Sequence, residues 1–222
     1  LPHEAAVDEM TMVIGERRGV GVIKRRAEAR RIYEAALAAG QTASLLEQER
    51  PNIFTQSVGN IQPGQEVRIE IGYVDVLKYD MGVYEFHFPM VVGPRYIPGS
   101  PISAKPPVGP ELRGKVGEVL GPGAGGAPSG TGWSPDTSRV PDASRITPPV
   151  LKPGFRTGHD VSISVDVDAG VPIQDVKVVQ HKATLKAGGP ARVSAVLDRA
   201  DSIPNKDFVL RYGVVGKKPE MA

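Results

Sequence analysis

Apolar and polar residues alternate with a two-residue period through much of the stretch from Ile53 to Phe88. Val67, Ile69, Ile71 and Tyr73 alternate with Arg68, Glu70 and Gly72, and Tyr84, Phe86 and Phe88 alternate with Glu85 and His87. Only an extended strand sends successive side chains to opposite faces, so these runs read as half-buried β-strands. Ile53–Val58 reads the same way. Pro63-Gly64 and Tyr79-Asp80-Met81-Gly82 read as turns, and Pro89 closes a strand because it cannot donate to a ladder. Upstream, Val7–Val13 reads as a strand, Gly15–Gly21 as a tight turn, and Val20, Val22 and Lys24 as a second short strand. The period then changes. Ala29, Ile32, Tyr33, Ala36 and Leu37 recur at helical spacing, which predicts one amphipathic helix over about 26–39, stopped at Gly40.

From Gly93 to Gly154 about 40% of residues are Gly or Pro, against ~12% in average usage. The run 121–130 is low-complexity and lacks the G-K-[ST] ending of a phosphate loop. Strands are expected again from Ile146. Val161, Ile163, Val165 and Val167 alternate with polar partners, followed by Val176 and Val178, Leu185, a turn at Gly188-Gly189-Pro190, Ala191–Leu197, and Phe208, Leu210 and Tyr212. The expected fold is mainly β: an antiparallel β-sandwich with one amphipathic α-helix, followed by a smaller second β unit. The expected organisation is a sandwich over 1–99, a Gly/Pro-rich loop or linker over 100–145 and the second unit over 146–216.

Little in the chain carries chemistry. With 27 basic and 25 acidic residues the net charge is +2, too balanced overall for a nucleic-acid or anionic-membrane footprint. Arg25, Arg26, Arg30 and Arg31 alternate with Glu28 and Glu34 and read as a solvated helix face. The chain has no cysteine, which excludes disulfides and thiol chemistry. No apolar run approaches the ~18 residues of a membrane span. His3, His87, His159 and His181 are singletons without ligand spacing. Asp160-Val161-Ser162-Ile163-Ser164 matches the metal-binding pattern D-x-S-x-S, but it runs on into strand alternation, so its residues read as exposed strand positions. Asp166 and Asp168 share one strand face and read as a solvated edge. Trp133 reads as an anchor for the Gly/Pro-rich loop. There is no G-x-S-x-G. No catalytic, cofactor-binding or metal-binding residue is therefore expected, and no cofactor.

Several motifs together carry a family resemblance. They are A-A-V at 5–7, I-G-E-R at 14–17, A-R-R-I-Y-E-A-A at 29–36, S-L-L-E-Q-E-R-P-N-I-F at 44–54, I-Q-P-G at 61–64, V-R-I-E-I-G-Y-V at 67–74 and F-P-M-V-V-G-P-R-Y-I-P at 88–98. This block resembles the VIT (vault protein inter-α-trypsin) domain. V-P-D-A-S-R-I-T-P-P-V at 140–150 and I-P-N-K-D-F-V-L-R-Y at 203–212 resemble bacterial proteins of a sortase-target-like group, which join a VIT domain to a von Willebrand type A domain. The resemblance implies a non-enzymatic interaction or scaffold module of a larger exported or surface-anchored protein. Its implied partners are the adjacent type A domain and a protein ligand, with no nucleic acid and no membrane span in this stretch. Two other expectations stand beside it: a carbohydrate-active or hydrolytic sandwich using Asp166, Asp168 and His159, and a purely structural assembly module.

Against the family pattern the chain reads as truncated at both ends. A sandwich without its first strands exposes a sheet edge. The chain alone is accordingly expected to self-associate or to melt with little cooperativity. Light scattering on a sized sample reads this, and a monodisperse, cooperatively melting monomer is the contrary result.

Overall fold

The computed structural model describes residues 1–2, 4–91, 93, 95–102, 133–147 and 158–215. The run at 121–130 and His3 lie outside the described residues. The chain divides into two compact units, Leu1–Glu85 and Phe86–Ala222.

In the first unit, β1 (Ala6–Ile14) is the middle strand of an antiparallel sheet, flanked by β2 (Arg17–Val20) and β5 (Val67–Val74). The register pairs Val7 with Tyr73, Met10 with Ile71, Met12 with Ile69 and Ile14 with Val67, so one face is apolar along its whole length. The second strand lies earlier than the sequence pattern suggested. The turn uses only Gly15, at φ +56°, and Glu16, so pairing begins at once with Ile14 opposite Arg17.

The helix α1 (Arg26–Ala38) forms as expected, and its end has a specific cause. Gly40 is left-handed at φ +74°. Its N–H donates to the Leu37 carbonyl (3.0 Å), while the Gln41 N–H donates to that of Ala36 (2.9 Å), which satisfies two otherwise orphan carbonyls. Asn60 reinforces this end, its Nδ2 donating to the Leu37 carbonyl (2.8 Å) and the Gln41 carbonyl (3.1 Å).

The helix packs on β3 (Ala43–Arg50), which pairs with β4 (Ile53–Gly59) as a two-stranded hairpin. Gly59 is where the contact is closest: a Cβ there would sit 2.6 Å from a Leu37 methyl and 3.1 Å from the Tyr33 hydroxyl. The apolar stripe of α1 is only partly covered. No residue of α1 is fully buried, and Ile32 is exposed. Arg30 takes its place on the inward side. The hairpin β6 (Lys78–Asp80) and β7 (Val83–Phe88) turns at Met81-Gly82.

Among the described residues the second unit holds most of the buried apolar ones. One antiparallel sheet runs β10 (Ala183–Gly189), β11 (Arg192–Leu197), β8 (Ser164–Asp168). In the other, β12 (Phe208–Val214) lies between β9 (Ile173–Val179) and the Phe86–Phe88 end of β7. Phe208 and Leu210 are wholly buried, joined by Val193, Ala195, Leu197 and Tyr212, and the Phe86 ring meets Phe208 edge-on at 6.4 Å. Ile146, expected to open a run of strands, belongs instead to a short helix α2 (Ala143–Ile146), where it and Ala143 are buried. Among the described residues the next strand begins at Ser164. The mainly β fold with antiparallel sheets, one long helix and a second β unit is the one expected.

Candidate functional site

The charged contact between α1 and the β3–β4 hairpin is the most organised polar feature of the first unit. On β3, alternation sends Leu45, Glu47 and Glu49 to one face, and all three are buried beneath the helix side. The Glu47 and Glu49 side chains are 5% and 0% exposed. Arg26 and Arg30, one helical turn apart, reach over them. Arg30 Nη2 donates to both Glu47 oxygens (2.7 and 2.6 Å), and Arg26 Nε donates to Glu47 Oε1 (3.2 Å). Arg26 Nη2 also donates to Glu49 Oε2. The hydrogen bond to Glu49 raises the pKa of Arg26, and that to Glu47 raises the pKa of Arg30. The solvated reading of this basic cluster is thus corrected for Arg26 and Arg30. Arg25 and Arg31 are exposed.

The second unit contains two His–carboxylate clamps. His181, buried, meets Asp201 Oδ2 through Nδ1 at 3.0 Å and the Lys206 carbonyl through Nε2 at 3.2 Å. Asp201 also accepts from the Lys182 amide (2.9 Å) and from Lys206 Nζ. The Lys182 amide above all, with Lys206 and His181, holds the Asp201 carboxyl at about 2. His87 Nε2 meets Asp207 Oδ2 at 3.1 Å, and Asp207 Oδ1 accepts from the amides of Met90 and Val91. Burial pushes this carboxyl up, but the two amides and His87 together outweigh it and lower it. The first clamp ties the 181–182 turn to the 3-10 turn at Asp201 and the loop at Lys206, and the second ties His87 on β7 and the Met90 and Val91 amides to Asp207.

The remaining candidates are scattered. His159 is exposed. Asp160 accepts from the Ser202 hydroxyl (3.0 Å). Ser162, Ser164, Asp166 and Asp168 lie on the exposed face of their segment, and Asp168 is engaged by Arg192 at 2.8 Å. Trp133 is half-buried, its Nε1 enclosed without a hydrogen-bond partner, at the start of a knot in which Thr147 accepts from the Ser134 amide. Among the described residues no group of three or more His, Asp or Glu could hold a metal ion, and no helix is long and apolar enough to cross a membrane.

Sequence comparison addresses the first unit. Residues 1–73 match the Vault protein inter-alpha-trypsin (VIT) domain family. The VIT resemblance drawn from the motifs therefore stands, over the stretch containing α1 and its acidic hairpin. The chain is 38% identical over 94 residues to Protein mono-ADP-ribosyltransferase PARP4 of Mus musculus, covering 42% of this chain and 5% of that protein. It is 36% identical over 87 residues to Inter-alpha-trypsin inhibitor heavy chain H4 of Homo sapiens (38% of this chain, 9% of that protein). It is 30% identical over 99 residues to von Willebrand factor A domain-containing protein 5A of Homo sapiens (43% and 13%). The chain thus spans a small fraction of each of these relatives.

Two outcomes are expected from this geometry. Replacing Arg30 by Met strands part of the charge of Glu47 in a covered site and costs about 2–3 kcal/mol, less than a fully buried pair because the arginines are half-exposed. Adding Glu47→Met should recover much of that loss. Hydrogen exchange of the α1 amides in the single and double variants reads both. Asp201 sets an acid response. Its carboxyl is lower in the folded chain than the ordinary 3.8, so its stabilisation is complete above that value and fades as pH falls toward about 2. The gap in urea midpoint between the native chain and Asp201→Asn should hold at neutral pH and close across that window. A gap independent of pH counts against it.

Proposed function

We propose that this chain is a non-enzymatic protein-interaction module within a larger exported or surface-anchored protein, where it packs beside and positions a von Willebrand type A domain. The match of residues 1–73 to the VIT family carries this reading. Similar proteins include one named for its von Willebrand factor A domain and an inter-alpha-trypsin inhibitor heavy chain. The structural support lies in where the polar chemistry goes. Glu47, Glu49, Asp201 and Asp207 are each committed to holding a helix or loop in place. Asp166 and Asp168, which a hydrolytic sandwich would use, lie on an exposed strand face, with Asp168 paired to Arg192.

The organisation that goes with this reading is a VIT-like region over 1–99, a Gly/Pro-rich connection over 100–145 and a second β unit over 146–216 leading toward the type A domain. In the intact protein, deleting residues 1–99 is expected to weaken ligand binding by the type A domain by about tenfold, the scale of a typical coupling between sites. Unchanged affinity with a folded type A domain overturns the positioning role.

A further inference from the structure

We propose that the outer edge of β2 is a docking site for an extended acidic segment of another protein, which joins the sheet as an added strand. Among the described residues the sheet order β2-β1-β5 leaves β2 with a strand neighbour on one side only, and all four of its residues are exposed. Its pairing phase follows from one hydrogen bond. The Gly21 N–H donates to the Met10 carbonyl at 2.7 Å, and Met10 continues the register that sets Thr11 opposite Val20 and Met12 opposite Gly19. In an antiparallel ladder the bonded residues alternate, so Arg17, Gly19 and Gly21 turn their amides inward to β1. Arg18 and Val20 turn theirs outward, which provides a short row of donors and acceptors for an incoming backbone.

The side chains define what that backbone should carry. From Arg17 to Arg31 there are seven basic residues and one acidic, a net of +6 in a chain whose total is +2. Part of this charge is consumed: Arg18 pairs with Glu9 and Glu70, Lys24 with Glu28, and Arg26 and Arg30 with the buried glutamates. Arg17 and Arg25 stay exposed, one on β2 and one at the start of α1. Between them stand Val20, Val22 and Ile23, exposed at 65%, 75% and 88%. Apolar side chains this open, bracketed by free arginines and beside unpaired amides, fit a strand that alternates acidic and apolar residues. A second copy of β2 fits poorly, because antiparallel pairing would bring arginines close to arginines. A lipid surface fits poorly too, because it would bury the outward amides of Arg18 and Val20 without partners.

This deepens the interaction-module reading by naming the chemistry of a partner. The two fail separately, since that reading is tested through the type A domain's affinity in the intact protein. The test here uses the full 222-residue chain and a fluorescent peptide of about eight residues, a common strand length, alternating Glu and Val. Saturable binding is expected, with slowed hydrogen exchange at the Arg18 and Val20 amides. Arg17→Glu with Arg25→Glu should weaken it about tenfold or more, the range for loss of charge complementarity. Two further peptides, N-methylated on alternate residues in opposite phase, should differ: one loses binding and the other keeps it, because only one edge of the added strand faces β2. Equal binding by both, or exchange protection elsewhere, overturns edge pairing. So does preference for vesicles containing phosphatidylserine over the peptide, or binding of a Lys-Val peptide as tight as the Glu-Val one. No binding overturns the proposal.

Discussion

The hold of Arg26 and Arg30 on Glu47 and Glu49 is the contact on which the first unit depends. A helix of this length is marginal by itself and gains its stability from what it packs on. Here the packing is thin: Tyr33 and Leu37 press on Gly59, yet no helix residue is fully buried. Ion pairs supply the rest. Glutamates this covered cannot be left alone, because an uncompensated charge in such a site costs several kcal/mol. The hairpin therefore demands the helix as much as the helix demands the hairpin. Such pairs contribute register more than net stability. Two forked cations fix which turn of α1 lies over which residue of β3, where a smooth apolar contact would permit sliding.

The two units are stabilised in different ways. In the second, Phe208 and Leu210 on β12 and Ala195 and Leu197 on β11, strands of two different sheets, are buried, and polar clamps secure loops. In the first, the only fully buried apolar residues among those described are Ala5 and Leu45, while Thr11, Glu47 and Glu49 are the buried polar ones. The apolar face formed by Met10, Met12, Ile69 and Ile71 is at most half-buried. A unit so built has less to lose by taking on another surface than one with a closed core. That property suits a module whose work is contact with a neighbour.

Legibility in the sequence follows the range of each interaction. The helix, its stop at Gly40 and the strands around Val67–Tyr73 and Tyr84–Phe88 are local, set by period and by glycine, and were readable. The strand Ala43–Arg50 was not, because its buried face is Leu45, Glu47 and Glu49. Two acids turned inward break the apolar-in pattern that marks a strand. Their partners lie 17 to 23 residues away on the helix, so the arginines read as solvated. The His181–Asp201 and His87–Asp207 clamps span 20 and 120 residues, and a lone His in a sequence gives no sign of such a mate. One signal was present: acids at alternate positions of S-L-L-E-Q-E-R, following a helix with arginines four apart, share a spacing that lets two stripes of opposite charge face each other.

The same arginine-rich stretch divides into two roles by its geometry. Arg26 and Arg30 point at the hairpin and are spent there, while Arg17 and Arg25 stay in solvent beside an unpaired strand edge. Charged residues on an edge strand ordinarily deter other strands, since an indiscriminate edge is an aggregation hazard. Deterrence by arginine is selective: it raises the cost for basic or purely apolar strands and lowers it for acidic ones. A protein needing a reactive edge that does not polymerise would place like charges there, so that its own copies repel and a complementary segment does not. The exposed Val22 and Ile23 then add contact area only once that segment is aligned, so charge selects the partner and apolar burial retains it.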